Sequence, residues 1–273
     1  MPKKLKIPQK VLSDLEKSAT QAALAAGSVI QFYFGKRFKI GSKGALGLVT
    51  SADLEAEKVA LKILKKNQKN FSILAEESGL TEGHKKEGRW IIDPLDGTTN
   101  FVHGFPMFCV SIAAEWQGEL AVGVIYHPIL QDLYVAVKDQ GATVNGEPIS
   151  VSKTKRLNDS LLTTGFTYQK ETWLDKEMDA FERLSRTARA IRRPGSAAMD
   201  LAYTARGVFD GFWERRLAPW DTAAGALLVM EAGGRVTDFS GKPFLVESKE
   251  ILASNKKLYP SLQDLVAPKF EQF

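Results

Sequence analysis

The chain has 273 residues, a net charge of +5, 44% hydrophobic and 25% charged residues, a balance suited to a globular protein with a sizeable core. No apolar run reaches the length of a membrane span, and a single cysteine, Cys109, excludes an internal disulfide, which fits a cytoplasmic location. The basic start "MPKKLKIPQK" is not followed by an apolar stretch and small-residue cleavage site, so it does not read as a secretory signal. Lysines are scattered as Lys3, Lys4 and Lys6, then Lys65, Lys66 and Lys69, then Lys85 and Lys86. They read as solvated surface, and no aromatic-and-basic strip demands nucleic acid as a partner.

In chain order, apolar residues first recur at helical spacing over residues 8–34, through Leu12, Leu15, Ala19, Ala22, Ala26 and Ile30. "KIGSKGALG" then reads as a glycine-rich loop, and Ser51 opens a second helix with Ala56, Ala60 and Leu64 on its apolar face. "FSILAEES" predicts a short strand ending in acids, and "RWIID" predicts another. Over residues 107–137 the period changes to two, so "MFCVSIAAEW", "LAVGVIYHP" and "DLYVAVK" predict consecutive antiparallel strands. "TVNGEPI" carries an Asn-Gly hairpin turn. The second half alternates: a strand over 161–166, a helix over 172–187, an extended "RAIRR", a helix over 196–205, and a strand "GVFDGFW". A helix over 222–232 follows, stopped by Gly233-Gly234, then strands "RVTDF" and "EILAS" and a final helix after Tyr259. A meander followed by alternation predicts a mixed α/β (α+β) fold with two layered sheets. We expect a single domain over 1–273 built of two packed halves, roughly 1–150 and 151–273.

Acids stand at the ends of these elements: Asp53, Glu76 and Glu77, Asp93 and Asp96, and Asp221. Singly, each has an ordinary role as a turn or cap residue. "WIIDPLDGTTNF" argues for more. Pro94 fixes φ and stiffens the link between Asp93 and Asp96, so both carboxylates can face one point. The Leu95 carbonyl adds a neutral oxygen, Gly97 allows close backbone approach, and Thr98 and Thr99 can open a helical turn whose N–H groups meet an anion. Hard oxygen donors beside an anion site suit Mg²⁺ carrying a phosphate ester. Zinc is excluded as a good fit, because Cys109 stands alone and His84, His103 and His127 lack ligand spacing.

"WIIDPLDGTTNFVHGFP" and "WDTAAGALLVMEAGGRVTD", with "LAEES" and "LVTSAD", resemble the motifs of the inositol monophosphatase family, the lithium-sensitive, magnesium-dependent sugar phosphatases. The resemblance implies a layered αβαβα sandwich, a homodimer, and two to three Mg²⁺ ions. Glu76, Asp93 and the Leu95 carbonyl would hold the first ion, and Asp93, Asp96 and Asp221 the second. A weaker third would use Glu76. Thr98 with Asp53 would activate the nucleophilic water, and Gly97 and Thr98 N–H groups would bind phosphate. By the same resemblance Lys43 sits on a mobile loop, and Gly195, Ser196, Ala197 and Glu214 touch the substrate. The implied activity is hydrolysis of myo-inositol monophosphate or a similar polyol phosphate. Histidinol phosphate, fructose 1,6-bisphosphate and nucleotide 3′-phosphates are alternatives, as is a role in binding RNA or the transcription machinery.

Two departures stand out. Gly47 occupies a position where the family often has an acid, and Arg215 and Arg216 stand where a small residue is common. Glu77 reads as a supporting residue, His103 as packing or capping, and Cys109 as a small buried apolar side chain.

Overall fold

The computed structural model describes residues 6–42, 48–83, 87–166 and 170–267. Helix α1 (Gln9–Tyr33) buries Leu12, Leu15, Ala19, Ala22, Ala26 and Ile30 along one stripe, as its periodicity requires. The hairpin β1 (Ile40–Ser42) and β2 (Leu48–Thr50) leads into α2 (Ser51–Asn67). There the Thr50 side chain accepts from Ala52 N–H, and the Asp53 carboxylate accepts from Thr50 N–H. These reciprocal bonds satisfy donors that a helix start leaves open.

Helices α1 and α2 cover one face of an eight-stranded sheet. Its strands are β3 (Ser72–Ala75), β4 (Gly79–Thr81), β5 (Gly88–Asp96), β6 (Cys109–Trp116), β7 (Glu119–His127), β8 (Asp132–Val137), β9 (Gly141–Val144) and β10 (Glu147–Pro148). Their spatial order is β10-β9-β8-β7-β6-β5-β3-β4, and only β3 and β5 pair in parallel. A one-turn helix, α3 (Thr98–Val102), follows β5. Trp90 and Ile92 of β5 face α1 and α2, whereas Ile91 faces the opposite layer.

The second sheet holds β11 (Leu161–Thr164), β12 (Ala190–Arg192), β13 (Gly211–Arg215), β14 (Arg235–Thr237) and β15 (Glu250–Ser254), ordered β12-β11-β13-β15-β14. Helices α5 (Ala197–Ala205) and α6 (Pro219–Glu231) fill the space between the sheets, with Leu201, Ala224, Leu227 and Leu228 joining Ile91, Phe212 and Ile251 in one core. On the outer face of the second sheet, α4 (Lys170–Ser185) and α7 (Tyr259–Val266) pack through Leu184, Tyr259 and Leu262 onto Leu162, Trp213 and Leu252. The layers are therefore α, β, α, β, α, the expected sandwich.

Three expectations change in detail. Part of the glycine-rich loop is strand, because Ile40 pairs with Thr50 and Ser42 with Leu48. Three-residue strands leave no periodic signal, and residues 43–47, including Lys43 and Gly47, lie outside the described residues. Strand β5 continues through Pro94 to Asp96, with a register shift against β6 between Asp93 and Asp96. In "GVFDGFW" only 211–213 is strand, for Val208 N–H turns back to Tyr203 O at 2.9 Å and closes α5.

Helix α6 lies unusually close to the first sheet at Gly123 of β7. A Cβ there would meet Ala224 O at 2.7 Å and Ala224 Cα at 3.0 Å. Since α6 carries Asp221, this contact sets the depth of that side chain. We expect Gly123→Ala to cost about 1–3 kcal/mol in urea unfolding. An unchanged midpoint would show that the helix yields freely.

Candidate active site

The site grows from the C-terminal end of β5. Pro94 has no N–H, so the Asp93 side chain folds forward and Oδ1 accepts the Leu95 N–H at 2.9 Å. Asp93 is 2% exposed. Three residues on, Asp96 Oδ2 accepts from the Ser196 hydroxyl at 2.6 Å and from Ala198 N–H at 2.8 Å. Ser196 is also the N-cap of α5, so the positive end of that helix grips Asp96. Gly97 then takes φ +92, and any Cβ there would lie 2.8 Å from Met107 O. A side chain at 97 is barred twice, by conformation and by space.

Thr98 opens α3. Its Oγ1 lies 3.1 Å from Asp53 Oδ1 and 3.0 Å from Leu95 O. Asp53 is fully buried, and its Oδ2 accepts both the Thr50 hydroxyl at 2.6 Å and Thr50 N–H at 2.8 Å. One carboxylate thus serves the helix start with one oxygen and Thr98 with the other. Burial raises the Asp53 pKa above the usual carboxylate range, opposed by the hydrogen bonds from Thr50 and Thr98.

Asp221 reaches the same corner from α6, where its Oδ2 accepts Ala218 N–H at 2.6 Å. Ser111 of β6 steadies the approach by donating to Trp220 O at 3.1 Å. Asp93, Asp96 and Asp221 each offer a carboxylate oxygen, and these oxygens lie within 4.8 Å of one another. Glu76 follows β3, with its N–H on Ile92 O at 3.1 Å, and its side chain hydrogen-bonds Asp93. It borders this trio rather than belonging to it.

The crowding has an electrostatic signature. Burial, then the charges of Glu76, Asp96 and Asp221, push Asp93 well above the usual carboxylate range. Burial and Asp96 do the same to Asp221. Asp96 rises only to about 6, because Ser196, Ala198 and Gly97 stabilise its charge against burial. Negative groups held this close, with only oxygen donors, fit a hard divalent cation. That is the chemistry of the donor set; the cation would replace the protons the corner otherwise retains.

Toward the second sheet, Gly195 precedes the Ser196 cap, and Ala197 begins α5. The Ser196 hydroxyl is committed to Asp96 rather than to open space. Glu214 stands near the end of β13, and its carboxylate lies against Gly165 in a narrow cleft lined also by Phe166, Glu177, Trp213, Arg215 and Phe239. Burial, then Asp221 and Asp96, push its pKa well up. Glu214 and the metal-type corner therefore share one electrostatic field. Arg215, one of the departures, pairs with Glu250 at 3.2 Å and stacks over Phe239, on the lining of the same cleft as Glu214. Arg216 adopts φ +61. Glu77 donates its N–H to Glu57 Oε2 at 2.9 Å. Cys109 is fully buried, 3.9 Å from the Ser196 hydroxyl.

Sequence reasoning passed over Asn100. Its amide donates to Met107 O at 2.7 Å and Pro194 O at 2.8 Å, tying the first motif to the turn before α5. Its position inside the motif was the available signal. The grip of Ser196 on Asp96, across 100 positions of sequence, had none.

The family model described as "Inositol monophosphatase family" matches residues 11–273. The inositol-1-monophosphatase of Synechocystis sp. is 45% identical over 250 residues, covering 91% of this chain and 87% of that protein. Nus factor SuhB of Pseudomonas aeruginosa is 42% identical over 258 residues, covering 92% and 94%. The solved structure of an inositol monophosphatase from Anabaena (Nostoc) sp. superposes with a TM-score of 0.86 at 41% identity, covering 96% of this chain and all of that one.

The acidic corner sets a pH dependence. A carboxyl whose folded pKa is raised binds its proton more tightly in the folded state, so its stabilising effect is present at acid pH and lost as pH rises through the folded value. With Asp96 raised to about 6 and Asp93 and Asp221 also well above the usual carboxylate range, chelator-treated protein should lose thermal stability as pH rises from about 4 through 6. Millimolar Mg²⁺ should remove that loss, and Asp93→Asn should lessen it without the ion. A melting temperature flat across this range in chelator would contradict the assignment.

Proposed function

The chain belongs to the inositol monophosphatase family and is a phosphoric monoester hydrolase; we propose that its substrate is myo-inositol monophosphate or a similar polyol phosphate, hydrolysed with Mg²⁺. The observation that carries this is the convergence of oxygens from the buried Asp93 and the half-buried Asp96 and Asp221 within 4.8 Å of one another. In this reading Glu76, Asp93 and the Leu95 carbonyl hold one ion, and Asp93, Asp96 and Asp221 a second. A third, looser ion uses Glu76. Divalent ions held there supply positive charge against the phosphate and make nearby water more acidic.

The remaining steps belong to the chain's own groups. Thr98 Oγ1 takes a proton from the attacking water as its own proton passes to Asp53 Oδ1, 3.1 Å away. Burial favours this transfer by raising the basicity of Asp53. Thr50 holds Oδ2 still throughout. The new P–O bond forms as the ester bond breaks; the departing alkoxide takes a proton from a solvent water to leave as free alcohol, and Asp53 returns its proton to solvent, which restores the starting state. Thr98 N–H, at the start of α3, and Gly97 orient the phosphate. Gly195, Ser196 and Ala197 wall the alcohol, and Glu214 accepts hydrogen bonds from its hydroxyls. A homodimer in the cytoplasm, and inhibition by lithium, complete the reading. No described helix is long and apolar enough to cross a membrane.

A phosphate-release panel tests it. Inositol monophosphate should be hydrolysed with Mg²⁺, abolished by chelator and inhibited by lithium. Asp93→Asn should lower kcat at least about 1,000-fold, or ~4 kcal/mol. Asp53→Asn should lower kcat with little change in KM. Histidinol phosphate, fructose 1,6-bisphosphate or a nucleotide 3′-phosphate preferred more than about tenfold in kcat/KM would replace the substrate assignment.

The relative named as a Nus factor supports a second reading, contact with RNA or the transcription machinery. It predicts that Asp93→Asn, inactive as a phosphatase, still supports that cellular role.

A further inference from the structure

Strand β11 ends at Thr164, whereas its parallel neighbour β13 runs on to Arg215. Gly165 is therefore the first residue past the end of β11, level with Glu214. The joint beside it is tight: Thr164 registers with Trp213, and its hydroxyl donates to Trp213 O at 2.6 Å. Gly165 itself is buried.

Residues level with one another on parallel strands project to the same side of the sheet. At this pair only Glu214 has a side chain, and it lies across the spot where its neighbour's would begin. The three nearest atoms to a Cβ built on Gly165 are Glu214 Oε1, Cδ and Oε2, all inside the 3.0 Å that real Cβ atoms keep clear. The φ of Gly165 is not positive, so conformation leaves the position open to any residue, and space alone excludes a side chain. At Gly123 the crowding group is backbone, Ala224 O, and an added methyl must move a helix. At Gly165 it is the far end of a flexible side chain, so an added methyl moves the carboxylate and leaves the strands in place.

We propose that Gly165 is a positioning residue that sets the polyol specificity of the site: its missing side chain is the seat of the Glu214 carboxylate, and fixes where that acid meets the hydroxyls of the leaving alcohol. The proposal rests on the role given to Glu214 above. A methyl at 165 displaces the carboxylate by about 1 Å to reach ordinary contact distance. A shift of that size spoils hydrogen bonds to the alcohol. Asp93, Asp96 and Asp221 keep their own backbone anchors, so the phosphate end is untouched.

The test is a double-mutant cycle with two substrates. Gly165→Ala and Glu214→Ala are made singly and together. The constants kcat and KM are measured with myo-inositol 1-phosphate and with p-nitrophenyl phosphate, whose leaving group carries no ring hydroxyls. Gly165→Ala should raise KM for the inositol ester about tenfold with kcat within about threefold, and leave both constants for the aryl ester within about twofold. Added to Glu214→Ala, which removes the obstructing atoms, the same change should alter KM for the inositol ester less than about twofold. A full tenfold effect in that background, or equal losses on both substrates, would overturn the proposal, because the methyl would then act through the sheet rather than the carboxylate. An unchanged KM in Gly165→Ala beside a raised one in Glu214→Ala would overturn it as well, leaving the role of Glu214 intact. Should Gly165→Ala fold only together with Glu214→Ala, that rescue supports the seat; failure to fold in both backgrounds refutes it. Glu214→Ala with no effect on KM for the inositol ester would instead bring down the role given to Glu214, and this proposal with it.

Discussion

The structure depends on forcing like charges together where water is scarce. Asp93, Asp96 and Asp221 come from the end of a strand and the start of a helix 125 positions further along the chain, and Glu76 presses in beside them. Without positive charge, such an arrangement survives only by keeping protons it would lose in water. The scaffold must hold the carboxylates against their repulsion. It does so with backbone: Leu95 N–H on Asp93, Ala198 N–H on Asp96 and Ala218 N–H on Asp221. Each bond anchors one carboxylate oxygen to the backbone.

The five layers serve this end. The central helices α5 and α6 start at the corner and run away from it, so their positive ends face the acids. Small residues on α6 let it press against β7 and against Leu201 of α5. The corner is therefore set by close contacts at Gly123 and Gly225 inside the core, where displacement is poorly tolerated. Glu214 stands on the other sheet yet feels the same charges, which makes its strand end and the acidic corner one electrostatic unit.

Much of this was legible in the sequence, for local reasons. The stripe from Leu12 to Ile30 and the alternation from Cys109 to Val137 follow from covalent geometry alone. Asp-Pro-Leu-Asp-Gly announces a braced turn because proline and glycine have fixed conformational habits. What escaped was non-local. The pairing of Ile40 with Thr50 and the short β4 have too few residues for a period. The turn at Val208 needed Tyr203 as its acceptor, and the clasp of Ser196 on Asp96 needed the two sheets already assembled. Sequence pattern reports which residues face inward; it does not report which partner waits there.

The capping of α2 carries one more consequence. The bonds that begin this helix, from Thr50 to Asp53 Oδ2, are the same bonds that immobilise the group facing Thr98. A cap of this kind contributes about 1 kcal/mol, and first turns open far more readily than whole domains. In the proposed mechanism, fraying of a single turn would thus disable proton transfer while every layer stayed packed. On gentle warming, the enzyme should fall silent before it melts.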